Sequence, residues 1–314
     1  MRRRMFFTAA AAVAAAGSAY MAYSMTSDSS SVLPQALLQK LQPSPRLPVM
    51  FIGHGSPMNV IEDTAWRRSW KELGAELLSK GQRPQLILCI SAHWLTESDW
   101  ALTAMAKPRT IHDFGGFPQE LFAQQYPAPG APQVAHDLAQ ELRSPVDGSA
   151  LLLDQEWGFD HGTWSVLLPM FPEADIPVMQ LSMPYALAPE KHFELGRQLR
   201  ALRERGVLIV GSGNIVHNLR VMRRDVTSTQ QAYDWALSFD DKVQQHWASG
   251  DMAGLSHFLD WGPEARLAQP THDHYLPLLY TAGAVHEDEA PRVFNDAFQY
   301  ASLSMRSGIW GLQA

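Results

Sequence analysis

Pro48-Val49-Met50-Phe51-Ile52-Gly53-His54-Gly55-Ser56-Pro57 is the stretch from which the fold can be read. Val49 to Ile52 are four apolar residues in succession, as in a strand buried on both faces. The run then breaks at once into Gly-His-Gly-Ser-Pro. Glycines on either side of His54 let the backbone turn sharply and leave room beside the imidazole. In an open α/β sheet, ligands bind just past the carboxyl ends of the strands. His54 is thus a candidate metal ligand, set against the plainer role of a loop histidine bonded to backbone.

The same theme recurs along the chain. Gln85 to Ser91 reads as a second buried strand and ends in Ser91-Ala92-His93-Trp94. Ile176 to Ser182 reads as a third. Val207 to Val210 is a fourth and feeds Gly211-Ser212-Gly213-Asn214-Ile215-Val216-His217. Ser302 to Ser307 reads as a closing strand. Between them, helical spacing covers Ala65–Lys80, where Trp66, Trp70, Leu73 and Leu77 share a face, and also 133–142, 189–205 and 230–248. Strands alternating with helices indicate an α/β fold, and neighbouring strands would bring their terminal histidines to one sheet edge.

Two further clusters carry histidines among glycines and aromatics. In Trp157-Gly158-Phe159-Asp160-His161-Gly162-Thr163-Trp164, Asp160 either orients His161 or caps the next helix. In Pro270-Thr271-His272-Asp273-His274-Tyr275, side chains two apart diverge if the segment enters a helix, so one of His272 and His274 is expected at a common site. Thr110-Ile111-His112-Asp113-Phe114-Gly115-Gly116-Phe117-Pro118 reads either as a shaped loop near a pocket or as a plain surface loop. His136, His192, His246, His257 and His286 lack such context and read as solvated.

Composition narrows the function. The chain has 314 residues, a net charge of −7 and no long basic run in its body, which argues against nucleic acid as a partner. Its single cysteine, Cys89, lies in the apolar run Leu86–Ser91, so a cysteine-rich zinc site and an intramolecular disulfide are excluded. A transition-metal site must come from histidines and carboxylates, and an imidazole-rich site suits Zn, Fe, Ni or Cu. There is no helical His-Glu-x-x-His pattern, no Gly-x-Ser-x-Gly elbow and no phosphate loop.

Residues 1–26 read as a twin-arginine-like export signal or an N-terminal anchor. Arg2-Arg3-Arg4 precede an uncharged, alanine-rich run, which places the body in the periplasm, released or anchored to the inner membrane. Residues 27–46 read as a linker, and 47–314 as one catalytic domain.

The ordered motifs Gly53–Pro57, Ser91–Trp94, Thr110–Pro118, Tyr126–Gly130, Phe159–Trp164, Gly211–Leu219 and His274–Tyr280 resemble the 4,5-DOPA dioxygenase family of class III extradiol ring-cleavage enzymes. The resemblance spans the body from Pro48 to Ser307. It implies a three-layer α/β/α fold with a mixed, mostly parallel central sheet, and cleavage of a DOPA-like catechol ring by O2. It also implies one divalent metal, Fe(II) or Zn(II). Carried over by position, His54, His93 and His274 are metal ligands, His217 is a fourth ligand or an acid–base group, and His161 is a catalytic histidine beside the metal. The wider superfamily uses two histidines and a carboxylate, and here His274 stands where a carboxylate might.

The chemistry suits those residue types. A catechol must lose a proton to bind a cation through both oxygens, and a neutral imidazole can take that proton and return it. Phe114, Phe117, Phe159, Trp94 and Trp164 are candidate walls of an aromatic slot or ordinary core. A zinc-dependent, hydrolase-like enzyme on the same scaffold is the alternative, and a binding protein without catalysis is a third reading.

Overall fold

A computed structural model describes residues 38–226 and 228–313. The expected export segment lies outside them, and among them no helix is long and apolar enough to cross a membrane. Residues 38–46 are docked against the body rather than forming a free linker. Leu41 is buried, and Ser44 N–H donates to the Glu204 carbonyl at 2.9 Å.

Six strands form the central sheet: β1 (Val49–Gly53), β2 (Leu86–Ser91), β3 (Val178–Gln180), β4 (Val207–Gly213), β5 (Arg292–Phe294) and β6 (Ser307–Trp310). Their spatial order is β3-β2-β4-β1-β6-β5. The first four run parallel, while β6 pairs antiparallel with both β1 and β5. The expected mixed, mostly parallel sheet is thus present.

Alternate side chains explain the three layers. Val49, Phe51, Leu86, Leu88, Ile90, Val207 and Ile209 enter one core; Met50, Ile52, Ile87, Cys89, Leu208 and Val210 enter the other. A period-2 chain buried on both faces needs helices on both sides. One side is covered by α1 (Ala65–Ser79) and α3 (His161–Met170). The other is covered by α2 (Pro132–Glu141), α4 (Pro189–Leu199), α5 (Asp234–Ser249) and α6 (Leu276–Ala284). Trp66, Trp70, Leu73 and Leu77 are the buried face of α1, as their spacing requires.

The structure also differs from the sequence reading at the closing strand, at the helix over 189–205 and at His192. The closing strand is Ser307–Trp310, not 302–307; Leu303–Ser304 instead forms a short hairpin pair with Phe298–Gln299. The helix expected over 189–205 ends at Leu199, tightens into a 3₁₀ turn over Arg200–Arg205, and stops at Gly206, which adopts φ 73°. His192 is fully buried rather than solvated, with Nδ1 2.8 Å from the Tyr280 hydroxyl.

Trp100 Nε1–H donates to that same hydroxyl, so the hydroxyl proton goes to His192 Nδ1. Burial pushes the His192 imidazole down to about 4. The unfolded chain therefore binds a proton at higher pH than the folded chain does. Stability from this group is complete above about pH 6.5 and is lost as pH falls toward 4, by up to about 3 kcal/mol. Urea midpoints should drop between pH 7 and 4.5, and His192→Gln, which keeps an acceptor but cannot titrate, should drop less. Equal losses in both proteins would contradict this assignment.

Candidate functional site

The register of the parallel strands creates the site. Gly53 of β1 pairs with Gly213 of β4, and Ser91 of β2 pairs with Ser212. His54 follows β1 directly, His93 follows β2 by two residues, and His217 leaves β4 after a short turn, so all three emerge at one edge. His54 N–H donates to the Gly213 carbonyl at 3.0 Å. Gly55 adopts φ 59°, which gives the sharp turn its sequence position implied. Gly213 is required by close approach: a Cβ there would lie 2.2 Å from the His274 carbonyl oxygen. That contact, with Asn214 N–H donating to the His274 carbonyl at 2.9 Å, brings the segment before α6 to the edge.

Five histidines converge there. Ring centroids of His54 lie 5.2, 5.8 and 5.3 Å from those of His93, His161 and His274. His93 lies 3.9 Å from His161 and 5.0 Å from His274. His217 stacks on His274 at 3.4 Å with an interplanar angle of 6°. Nitrogens of His54, His93 and His161 come within 4.8 Å of one another, and His217, Asp273 and His274 form a second such group. His272 points elsewhere and stacks on Tyr185 at 4.3 Å. His112 packs against Phe114, Phe122 and Trp164, with Nε2 3.0 Å from the Gln124 carbonyl.

Polar partners on Nδ1 set the tautomers. The Ser212 hydroxyl donates to the Gly162 carbonyl at 2.5 Å, so it can only accept from His54 Nδ1–H, 2.9 Å away. His54 therefore presents the Nε2 lone pair. His93 Nδ1 lies 3.3 Å from Asp113 Oδ2, and His274 Nδ1 is bonded to Asp273 Oδ2. With carboxylates on Nδ1, these rings also turn Nε2 lone pairs inward. The Nε2 atoms of His54 and His93 face each other at 3.4 Å.

Electrostatics agree. Burial, reinforced by the surrounding imidazoles, holds His54, His93 and His217 well below the ordinary histidine range, so they are neutral donors of lone pairs. Burial alone would raise Asp113 and Asp273; contact with His161 and His274 respectively outweighs it and keeps both carboxyls low and ionised.

The carboxylates were not singled out by sequence reasoning. Asp160 does not orient His161. It caps α3, and its oxygens accept from Ser91 Oγ at 2.6 Å, Gln180 Nε2 at 2.7 Å, Thr163 N at 3.1 Å and Trp157 Nε1 at 3.2 Å. Asp113 takes the orienting place. Its Oδ2 lies 3.0 Å from His161 Nδ1, and its Oδ1 accepts the His161 backbone N–H at 2.8 Å. The signal available beforehand was a carboxylate inside a glycine- and aromatic-rich loop, and a carboxylate adjoining His274.

The cluster opens on a cavity of about 610 Å³. Of the aromatic residues open to either role, Phe114 and Phe117 line it. Phe159, Trp94 and Trp164 are core instead: Phe159 packs on Tyr126, Trp94 stacks on Trp157 at 5.8 Å, and Trp164 donates to the Ile111 carbonyl. The other walls, unforeseen, include Met58, Leu219, Met222, Arg224, Tyr300 and Leu303.

Two neutral imidazoles with opposed lone pairs repel unless an electrophile lies between them. Nitrogens about 2.0–2.1 Å from one shared cation stand about 3.0–3.4 Å apart, and the observed 3.4 Å fits. Carboxylates behind the histidines are the usual outer support of such ligands. The residues present therefore suit a divalent transition metal.

Comparison with known proteins gives the same direction. A 46% identical relative over 268 residues, covering 84% of this chain and 94% of its own length, is the 4,5-DOPA dioxygenase extradiol of Escherichia coli (strain K12). A protein of that name from Beta vulgaris is 33% identical over 261 residues, covering 82% and 94%. A crystal structure of an uncharacterized Escherichia coli K12 protein superposes with a TM-score of 0.70 at 40% identity, over 84% of this chain and 99% of that one. These relatives do not favour the hydrolase-like alternative. The family model described as the catalytic LigB subunit of aromatic ring-opening dioxygenase matches residues 48–307, and the chain, with its histidines gathered at the sheet edge that this match spans, belongs to that family of ring-opening dioxygenases.

Proposed function

We propose that the chain opens a catechol ring on the extradiol side with O2, around one divalent cation held by His54, His93 and His274. The observation that carries this reading is the facing Nε2 atoms of His54 and His93, the first bonded through Nδ1 to Ser212 and the second with the Asp113 carboxylate 3.3 Å from its Nδ1. Fe(II) is the working metal and Zn(II) an occupant of the same donors. When bound, the cation supplies the Lewis acidity that makes a catechol hydroxyl easier to ionise.

The chain's own groups do the rest. His161, buried at the first turn of α3 and held through Asp113, accepts the hydroxyl proton and returns it to oxygen as the ring opens. His217, kept neutral by burial and stacked on His274, serves as the companion acid–base group rather than a firm fourth ligand. Phe114 and Phe117 shape the slot against the aromatic ring. A second donor set, His54, His93 and His161, is favoured by the mutual approach of their nitrogens; the variants discussed below separate the two.

Anaerobic loading with Fe(II), followed by a catechol panel and O2, should give O2 uptake matched to a yellow ring-opened product. A protein of confirmed metal content that opens none of the catechols would overturn the reading.

A further inference from the structure

We propose that Gln299 and Asn59 are positioning residues, a relay of two side-chain amides that sets His54 for its cation; this rests on the cation reading above. The turn after β1 carries His54, with Gly55 at φ 59°. Three of its backbone groups are met by side chains from other segments. Asn214 Oδ1 accepts Gly55 N–H at 3.2 Å, Gln299 Oε1 accepts Ser56 N–H at 2.9 Å, and Asn59 Nδ2 donates to the His54 carbonyl at 3.1 Å.

The first bond settles the direction of the relay. A backbone N–H can only donate, so Gln299 turns Oε1 to Ser56 and Nε2 to Asn59. Gln299 Nε2 donates to Asn59 Oδ1 at 3.2 Å, which leaves Asn59 Nδ2 for the His54 carbonyl. The chain of bonds starts at Ser56 and ends at His54, so it brackets Gly55. A Cβ at Gly55 would lie 2.6 Å from Gln299 Oε1, which shows how closely the amide packs on the turn. Asn59 is fully buried, where its amide needs these partners.

Gln299 is itself held in place. It pairs with Leu303 in the short hairpin whose bend contains Tyr300 and Ala301 at φ 55° and 61°. Left-handed residues with a Cβ persist where the surroundings over-determine them. Leu303 bridges to His217, and Ser304 N–H donates to the Val216 carbonyl at 3.0 Å. Asn214 Nδ2 donates to the Ser304 carbonyl at 2.8 Å. The hairpin is thus a spacer between the turn that carries His54 and the segment that carries His217. Ser212 meets the His54 ring at Nδ1, and the relay holds the backbone from which that ring springs.

The test compares Gln299→Met, Asn59→Ala and the double variant with the wild type. Methionine matches glutamine in length and makes neither bond. Zn(II) affinity, read by competition with a chromogenic chelator, should weaken about 10- to 100-fold in Gln299→Met, the usual cost of removing an outer support of a metal ligand. The metal-free variant should melt close to the wild-type temperature. The visible spectrum of the Co(II)-loaded variant should change, because ligand geometry sets it and a merely structural amide would leave it alone. The double variant should lose no more affinity than the larger single loss, because both amides act through one chain of bonds. Unchanged Zn(II) affinity in Gln299→Met, or losses that add in the double variant, overturns the proposal. Should Asn59→Ala fail to fold, the affinity of Gln299→Met decides alone. A wild type that binds Zn(II) but opens no catechol would instead remove the ring-opening reading, while the affinities still decide the relay.

Discussion

His161→Gln is expected to lower kcat by about 10²- to 10⁴-fold, the usual worth of a positioned acid–base group, while the protein keeps its metal. His161 sits at the first turn of α3, behind the Asp160 cap, with its ring beside those of His54 and His93. Asp113 accepts its backbone N–H at 2.8 Å and places a carboxylate oxygen 3.0 Å from its Nδ1. The backbone bond and the neighbouring carboxylate keep the ring at the edge where a substrate hydroxyl would present its proton. Glutamine fills similar space and hydrogen-bonds but cannot take a proton near neutrality. KM should change little, because the Phe114 and Phe117 walls remain. Metal analysis decides the competing donor set: a His161→Gln protein that loses its metal, beside a His274→Gln protein that retains it, would make His161 a ligand and remove the acid–base assignment.

His54→Ala should abolish stoichiometric metal binding and reduce ring opening by at least about 10³-fold, since the variant loses both a ligand and the cation's activation of the substrate. The expectation follows from the chain of bonds behind the ring. Gly162 accepts the Ser212 hydroxyl, Ser212 accepts His54 Nδ1–H, and Nε2 is left facing His93 Nε2 at 3.4 Å. Such a pair is poised for a cation and repulsive without one. Zn(II) should therefore raise the melting temperature of the wild type by mass action on the folded state and leave that of His54→Ala unmoved. A variant still stabilised by stoichiometric Zn(II) would show that the cation sits elsewhere among the histidines.

Much of the fold was legible along the chain. Val49–Ile52, Leu86–Ile90 and Val207–Val210 announced doubly buried strands because an apolar run of that length has few other homes. Each ended in small residues and a histidine, so the sheet edge and its imidazoles could be named before any contact was known. The failures share a cause. Ser302–Ser307 had strand-like composition, yet Leu303 and Ser304 pair in a hairpin while β6 takes the place beside β1, a choice set by partners and not by propensity. His192 looked like a surface residue of an amphipathic helix, but α6 packs against that helix and seals the ring beside Tyr280.

By itself the sequence determined the strand exits, the glycines that let the chain turn at His54, and the ordered motifs of a ring-opening dioxygenase. Those features are local: they depend on residues a few positions apart. Tertiary structure alone decided that Asp113, rather than Asp160, supports His161, that Asp273 backs His274, and that Arg224 and Tyr300 share a wall with the histidines. Such pairings join segments far apart in the chain or depend on the exact turn between neighbours. Periodicity carries no record of them, because they are selected by loop closure and by packing around a buried edge where polar groups need partners.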